Sequence, residues 1–153
     1  MENNIKLLDG SMSYPLELDG YNLNNRLWTG DALINNPEII KKIHKGYINS
    51  GADYLLTSTY QISYDILEEI GINSEEIKEL FQKSLDLAKE AIIEANTKKD
   101  IKVVASLGPF ASYKKNASEY IGIYDSTDDE IYNFHNNNFN IIDEKIFADH
   151  YDY

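Results

Sequence analysis

The chain has 153 residues, 42% of them hydrophobic, which suits one domain with a buried core. Its 14 Lys and Arg against 26 Asp and Glu leave a formal net charge of −12, which repels nucleic-acid phosphates and anionic lipid surfaces and favours small-molecule or protein partners. Cysteine is absent, so disulfides, thiol nucleophiles and thiolate metal ligands are excluded. No apolar run approaches the roughly 20 residues of a membrane span, and MENNIKLLDG lacks the pattern of a signal peptide, so a cytoplasmic location is expected.

Residues 5–8 form a short apolar segment that ends in a turn signal, Asp9-Gly10. Pro37–Asn49 reads as a helix, with Asn36 as its cap and an apolar stripe of Ile39, Ile40, Ile43, Tyr47 and Ile48, stopped by Gly51. Residues 54–57 form the second strand candidate, and 63–70 a short helix closed by Gly71. Ser74–Ala95 is the clearest helix: Asn73 or Ser74 caps it, and Ile77, Leu80, Phe81, Leu85, Ala88 and Ile92 recur at three- and four-residue intervals. IKVVAS at 101–106 is the third strand candidate, rich in β-branched residues. A long loop over 107–126 follows. Thr127 with Glu130 then makes a capping box for a last helix, with Ile131, Phe134, Ile141 or Ile142, and Ile146 as its stripe.

This alternation predicts an α/β fold with parallel strands joined by crossovers. A small open sheet and a piece of a (β/α)8 barrel both fit; a whole barrel needs about 250 residues. In either, ligands bind at the carboxyl ends of the strands. The turns there are Asp9-Gly10-Ser11, Thr57-Ser58-Thr59-Tyr60-Gln61 and Ser106-Leu107-Gly108-Pro109. Asp9 can accept a hydrogen bond from an ammonium group, and the amides of Gly10, Ser11 and Met12 can receive a carboxylate. Such turns are also commonly rich in Asp, Gly, Ser and Thr for purely structural reasons, which is the stronger reading of Gly108-Pro109.

Tyrosine is abundant, at 12, and Tyr113, Tyr120 and Tyr124 lie in the long loop, where rings can cover a ligand or simply reflect composition. His44 reads as a satisfied structural side chain. His150, in Asp149-His150-Tyr151-Asp152, has the makings of a metal cluster but is better read as an acidic tail.

In their order these motifs resemble the homocysteine S-methyltransferase family. LLDGSM at 7–12 resembles its opening strand and turn. Leu27-Trp28, Asn36-Pro37-Glu38-Ile39-Ile40, His44, Tyr47 and Gly51-Ala52-Asp53 resemble its first helix, and Leu56-Thr57-Ser58-Thr59-Tyr60-Gln61 its second strand end. Ser106-Leu107-Gly108-Pro109-Phe110 and Ser118-Glu119-Tyr120-Ile121-Gly122-Ile123-Tyr124 resemble the third strand end and its loop, and Phe134-His135 the next helix.

The resemblance implies the amino-terminal part of a (β/α)8 TIM-type barrel, about three βα units plus a helix, with 1–153 a truncated homocysteine-binding domain and 136–153 a divergent tail. It implies methyl transfer from S-methylmethionine or S-adenosylmethionine to homocysteine, giving methionine. The implied substrate-binding residues are Asp9, Gly10, Ser11, Thr57, Ser58, Thr59 and Tyr60. The family's cofactor is a zinc ion bound by cysteines that come later than this chain extends, so no cofactor is expected here, and the chain alone is expected to be inactive. The alternative is a non-catalytic remnant or amino-acid-binding module of the same fold. Ser13-Tyr14-Pro15 departs from the family's first turn. A fragment of this kind is expected to associate with itself or with a carboxyl-terminal half.

Overall fold

The computed structural model of the protein describes residues 5–142 except Lys115 and Ala117. In chain order the elements are α1 (Ser13–Leu18), α2 (Gly30–Asn35), α3 (Pro37–Asn49), β1 (Tyr54–Leu56), α4 (Tyr64–Glu69), α5 (Ser74–Ala95), β2 (Lys102–Val104), α6 (Phe110–Lys114), α7 (Ser118–Ile121) and α8 (Asp128–Ile141). They fall into two compact units: residues up to 58 with 83–105, and residues 59–82 with 106 onward.

The first unit holds the sheet. β1 and β2 are parallel, with Tyr54 opposite Lys102 and Leu56 opposite Val104. The predicted strand at 5–8 is a correction: it enters the ladder only through a parallel bridge from Leu8 to Tyr54. Leu7 is instead held by its carbonyl, which accepts from the amides of Asp53 and Tyr54, and by its amide, which donates to Asp53 Oδ2 at 2.9 Å. Lys99 Nζ lies 3.0 Å from Asp53 Oδ1. These two donors, the Leu7 amide first, hold the Asp53 carboxyl below its ordinary range. Both remaining strand candidates shorten to three residues each.

Beneath the sheet, Ile48 and Ala52 meet Leu55, Ala88, Ala91 and Ile101, with Tyr47 and Val103 at the margin. This apolar burial is the main stabilising term of the unit. α3 forms as its periodicity predicts and buries Ile40, Ile43, His44 and Ile48. Asn36 stands at the cap position but makes no side-chain cap hydrogen bond; Pro37 supplies the start of the helix.

In the second unit the caps are explicit. Asn73 Oδ1 accepts from the amides of Glu75 and Glu76, each at 3.1 Å, at the head of α5. Ser63 caps α4 through the Ile66 amide. Thr127 and Glu130 form the full capping box of α8, which buries Phe134, Asn138 and Ile141. The expected loop at 107–126 is also corrected, since it contains α6 and α7. Phe110, the first residue of α6, packs edge-on against Phe134, with ring centroids 5.3 Å apart. Ile146, the last position of the predicted α8 stripe, lies outside the described residues, as do Asp149, His150 and Asp152.

Candidate functional site

The first turn is built from both sides. Asp9 follows the Leu8 bridge, and its amide donates to the Tyr54 carbonyl at 2.9 Å. Its carboxyl turns inward: Oδ2 accepts from the Leu56 amide at 3.0 Å, and the side chain is only 2% exposed. Oδ1 is buried with no hydrogen-bond partner. Burial raises the Asp9 carboxyl to about 6, against the opposing pull of the Leu56 amide.

α3 supplies the opposite wall. His44 and Tyr47 are three residues apart, so they share a helix face. The Tyr47 hydroxyl donates to the Ser11 carbonyl at 2.6 Å. Gly10 makes room for this approach, because a Cβ there would stand 2.9 Å from the Tyr47 hydroxyl oxygen. Burial, and then the charge of Asp9, raise the Tyr47 phenol above its ordinary value. His44 is fully buried, and its Nδ1 lies 3.9 Å from Asp9 Oδ2. Neither ring nitrogen has a hydrogen-bond partner, and burial lowers the imidazole to about 4. The expectation of a satisfied structural histidine is therefore corrected.

Ser11 itself is exposed, with its hydroxyl 2.7 Å from that of Ser13. Thr57 and Ser58, at the carboxyl end of β1, are buried. The Thr57 amide donates to the Val104 carbonyl at 2.9 Å. The Ser58 amide donates to Ser84 Oγ at 2.7 Å, and the two hydroxyls lie 2.9 Å apart. The first unit thus joins Asp9 to Leu56 and the Gly10-Ser11 turn to Tyr47, while Thr57 and Ser58, which follow Leu56, bond to Val104 and Ser84. Thr59 and Tyr60 belong to the second unit: the Thr59 hydroxyl donates to the Ser106 carbonyl at 2.6 Å, and Tyr60 is exposed.

Also in the second unit, Gly108 is structural as expected, since a Cβ would fall 2.1 Å from the Tyr60 carbonyl oxygen. Of the loop tyrosines, Tyr113 packs against Phe110 and Phe134, and Tyr124 against Phe110, whereas Tyr120 is 84% exposed. His44, Tyr47 and Ser84 are the side chains that a reading of the strand-end turns alone passes over. The three-residue spacing of His44 and Tyr47 was the available signal.

A zinc site of three thiolates does not fit the residues present, because the sequence has no cysteine. Among the described residues, no group of three His, Asp or Glu side chains is placed to hold a metal ion. What the first turn can do is receive a cation at a buried carboxylate. No helix among the described residues is long and apolar enough to cross a membrane.

Comparison with known proteins gives this turn its context. The family model described as homocysteine S-methyltransferase matches residues 6–150. The homocysteine S-methyltransferase YbgG of Bacillus subtilis is 36% identical over 137 residues, covering 84% of this chain and 43% of its own. The homocysteine S-methyltransferase of Escherichia coli is 35% identical over 138 residues, covering 88% and 44%. The crystal structure of the metallated E. coli homocysteine methyltransferase MmuM superposes with a TM-score of 0.81 at 32% identity, over 92% of this chain and 50% of that one. The chain therefore spans less than half the length of these two relatives. With a family match over most of its residues, it belongs to the homocysteine S-methyltransferase family.

Proposed function

We propose that this chain carries the amino-acid-binding end of a homocysteine S-methyltransferase barrel, the first βα units of a (β/α)8 fold. The parallel order of Leu8, β1 and β2, with helices between them, supports that architecture. The proposed reaction of the assembled protein is methyl transfer from S-methylmethionine or S-adenosylmethionine to homocysteine, giving methionine.

The observation that carries the reading is Asp9. A buried carboxylate with one oxygen anchored and the other unpartnered is suited to an ammonium group, which repays its desolvation. The amides of Gly10, Ser11 and Met12 would take the substrate carboxylate, with Thr57 and Ser58 at the neighbouring strand end. Binding both ends of the amino acid fixes where its thiol lies, which is what an in-line displacement requires. Activation of that thiol as a thiolate lies beyond these residues, so the rest of the barrel would have to supply it.

Calorimetry and a methionine assay on the 153-residue chain, with zinc added, test the proposal. Homocysteine should bind, Asp9→Asn should abolish binding, and no methionine should form. Methionine formation by the chain alone, or undiminished binding by the variant, would sink it. The second reading is an amino-acid-binding module of the same fold without catalysis. Adding the carboxyl-terminal half of a relative separates the two, because only the first predicts that methionine appears.

A further inference from the structure

The unpartnered buried polar atoms of the first unit cluster at one place. They are Asp9 Oδ1, His44 Nδ1 and His44 Nε2; among the described residues the only other such side-chain atom is Asp65 Oδ2. Buried polar groups are normally paired, so three together point to a group that joins them when a ligand is present. The local geometry holds the histidine to this task. Tyr47, one turn further along α3, is bonded to the Ser11 carbonyl and seated against Gly10, which fixes the helix against the turn. His44 is thereby set opposite Asp9, with Nδ1 3.9 Å from Oδ2. Burial keeps the imidazole neutral, with one N–H to give and one lone pair.

We propose that His44 is a positioning residue for Asp9: its Nδ1–H is directed at Oδ2 and, with the Leu56 amide, holds the carboxylate so that Oδ1 faces the ammonium group of an amino-acid ligand. The proposal rests on the reading of Asp9 given above. A gap of 3.9 Å is longer than a hydrogen bond, and it closes when a cation at Oδ1 fixes the carboxylate; functional hydrogen bonds are often long before ligand binds.

Two measurements on the full chain test this. Nitrogen-15 NMR of histidine-labelled protein reads the tautomer directly. We expect His44 to be neutral and protonated at Nδ1 with homocysteine present, and to lose that preference in Asp9→Asn. An Nε2–H tautomer in the unsubstituted chain, free and with saturating homocysteine, overturns the proposal. Calorimetry then compares homocysteine with 4-mercaptobutanoate, which lacks the ammonium group. His44→Leu should weaken homocysteine roughly tenfold and leave the analogue unchanged, and His44→Asn, which keeps an N–H donor, should restore most of the loss. Equal weakening of both ligands would mark His44 as merely structural and overturn the proposal. If the unsubstituted chain binds no homocysteine, the ammonium reading of Asp9 fails, and the tautomer of the free chain still decides whether His44 is directed at Asp9.

Discussion

Asp9 and His44 are displaced in opposite directions by the same cause. Burial lifts the carboxyl from 3.8 to about 6 and lowers the imidazole from 6.5 to about 4. Folded Asp9 holds its proton more tightly than unfolded Asp9, so its contribution to stability is present below its unfolded value and lost as pH rises through about 6. Folded His44 holds its proton less tightly, so its contribution is present above 6.5 and lost as pH falls through about 4. Across this window the two oppose each other. Asp9→Asn should expose the histidine, and the variant should lose stability relative to the parent as pH falls. His44→Asn should expose the carboxyl, with the opposite slope. Urea titrations between these values check it; three parallel curves would show that the buried pair does not carry the linkage. Two glycines give a second comparison. Alanine at Gly10 meets a tyrosine ring that can move, whereas alanine at Gly108 meets the backbone at 2.1 Å. Gly108→Ala should cost about 3 kcal/mol and Gly10→Ala about 1 kcal/mol by denaturant unfolding.

At the scale of elements, capping and buried side-chain bonds set the expectations. Thr127→Ala removes the hydroxyl that accepts from the Glu130 amide at 3.3 Å, and should cost about 1 kcal/mol. Ser84→Ala leaves the buried Ser58 amide without its side-chain acceptor and should cost about 1–3 kcal/mol. Both are read by thermal or denaturant unfolding, and a neutral result would remove the bond concerned from the stability argument. α3, α5 and α8 were legible in the sequence because each has a local start signal and an apolar stripe long enough to show its period. α4, only six residues long, was legible through its stop at Gly71, whereas α1, α2, α6 and α7 were not, because four to six residues do not complete two helical turns and so show no period. The strands read too long because an apolar run marks burial, while the ladder covers three residue pairs. Asp9, Gly10 and Ser11 were found through turn chemistry. His44 was read as a structural side chain because a histidine on an apolar helix face looks like core, and what distinguishes it is a carboxylate far away in sequence.

At the scale of the whole molecule, the first unit carries apolar surface along its sheet. Ile5, Leu7 and Leu8 are 72%, 52% and 56% exposed at one side, and Val104 is 36% exposed on β2 at the other. Such edges recruit further strands. The purified chain should therefore be larger than its 17.5 kDa by light scattering, and a monomer with a sharp unfolding transition would refute this. The direction of the strands sharpens the expectation. Two copies joined edge to like edge about a twofold axis must pair antiparallel, against the grain of a parallel sheet. Continuing the parallel order instead sets the 5–8 edge of one copy on β2 of the next. That contact is head to tail and does not close at two. The parallel register thus predicts open-ended oligomers whose size grows with concentration, and it favours as terminator a partner whose own free edges run in the same direction.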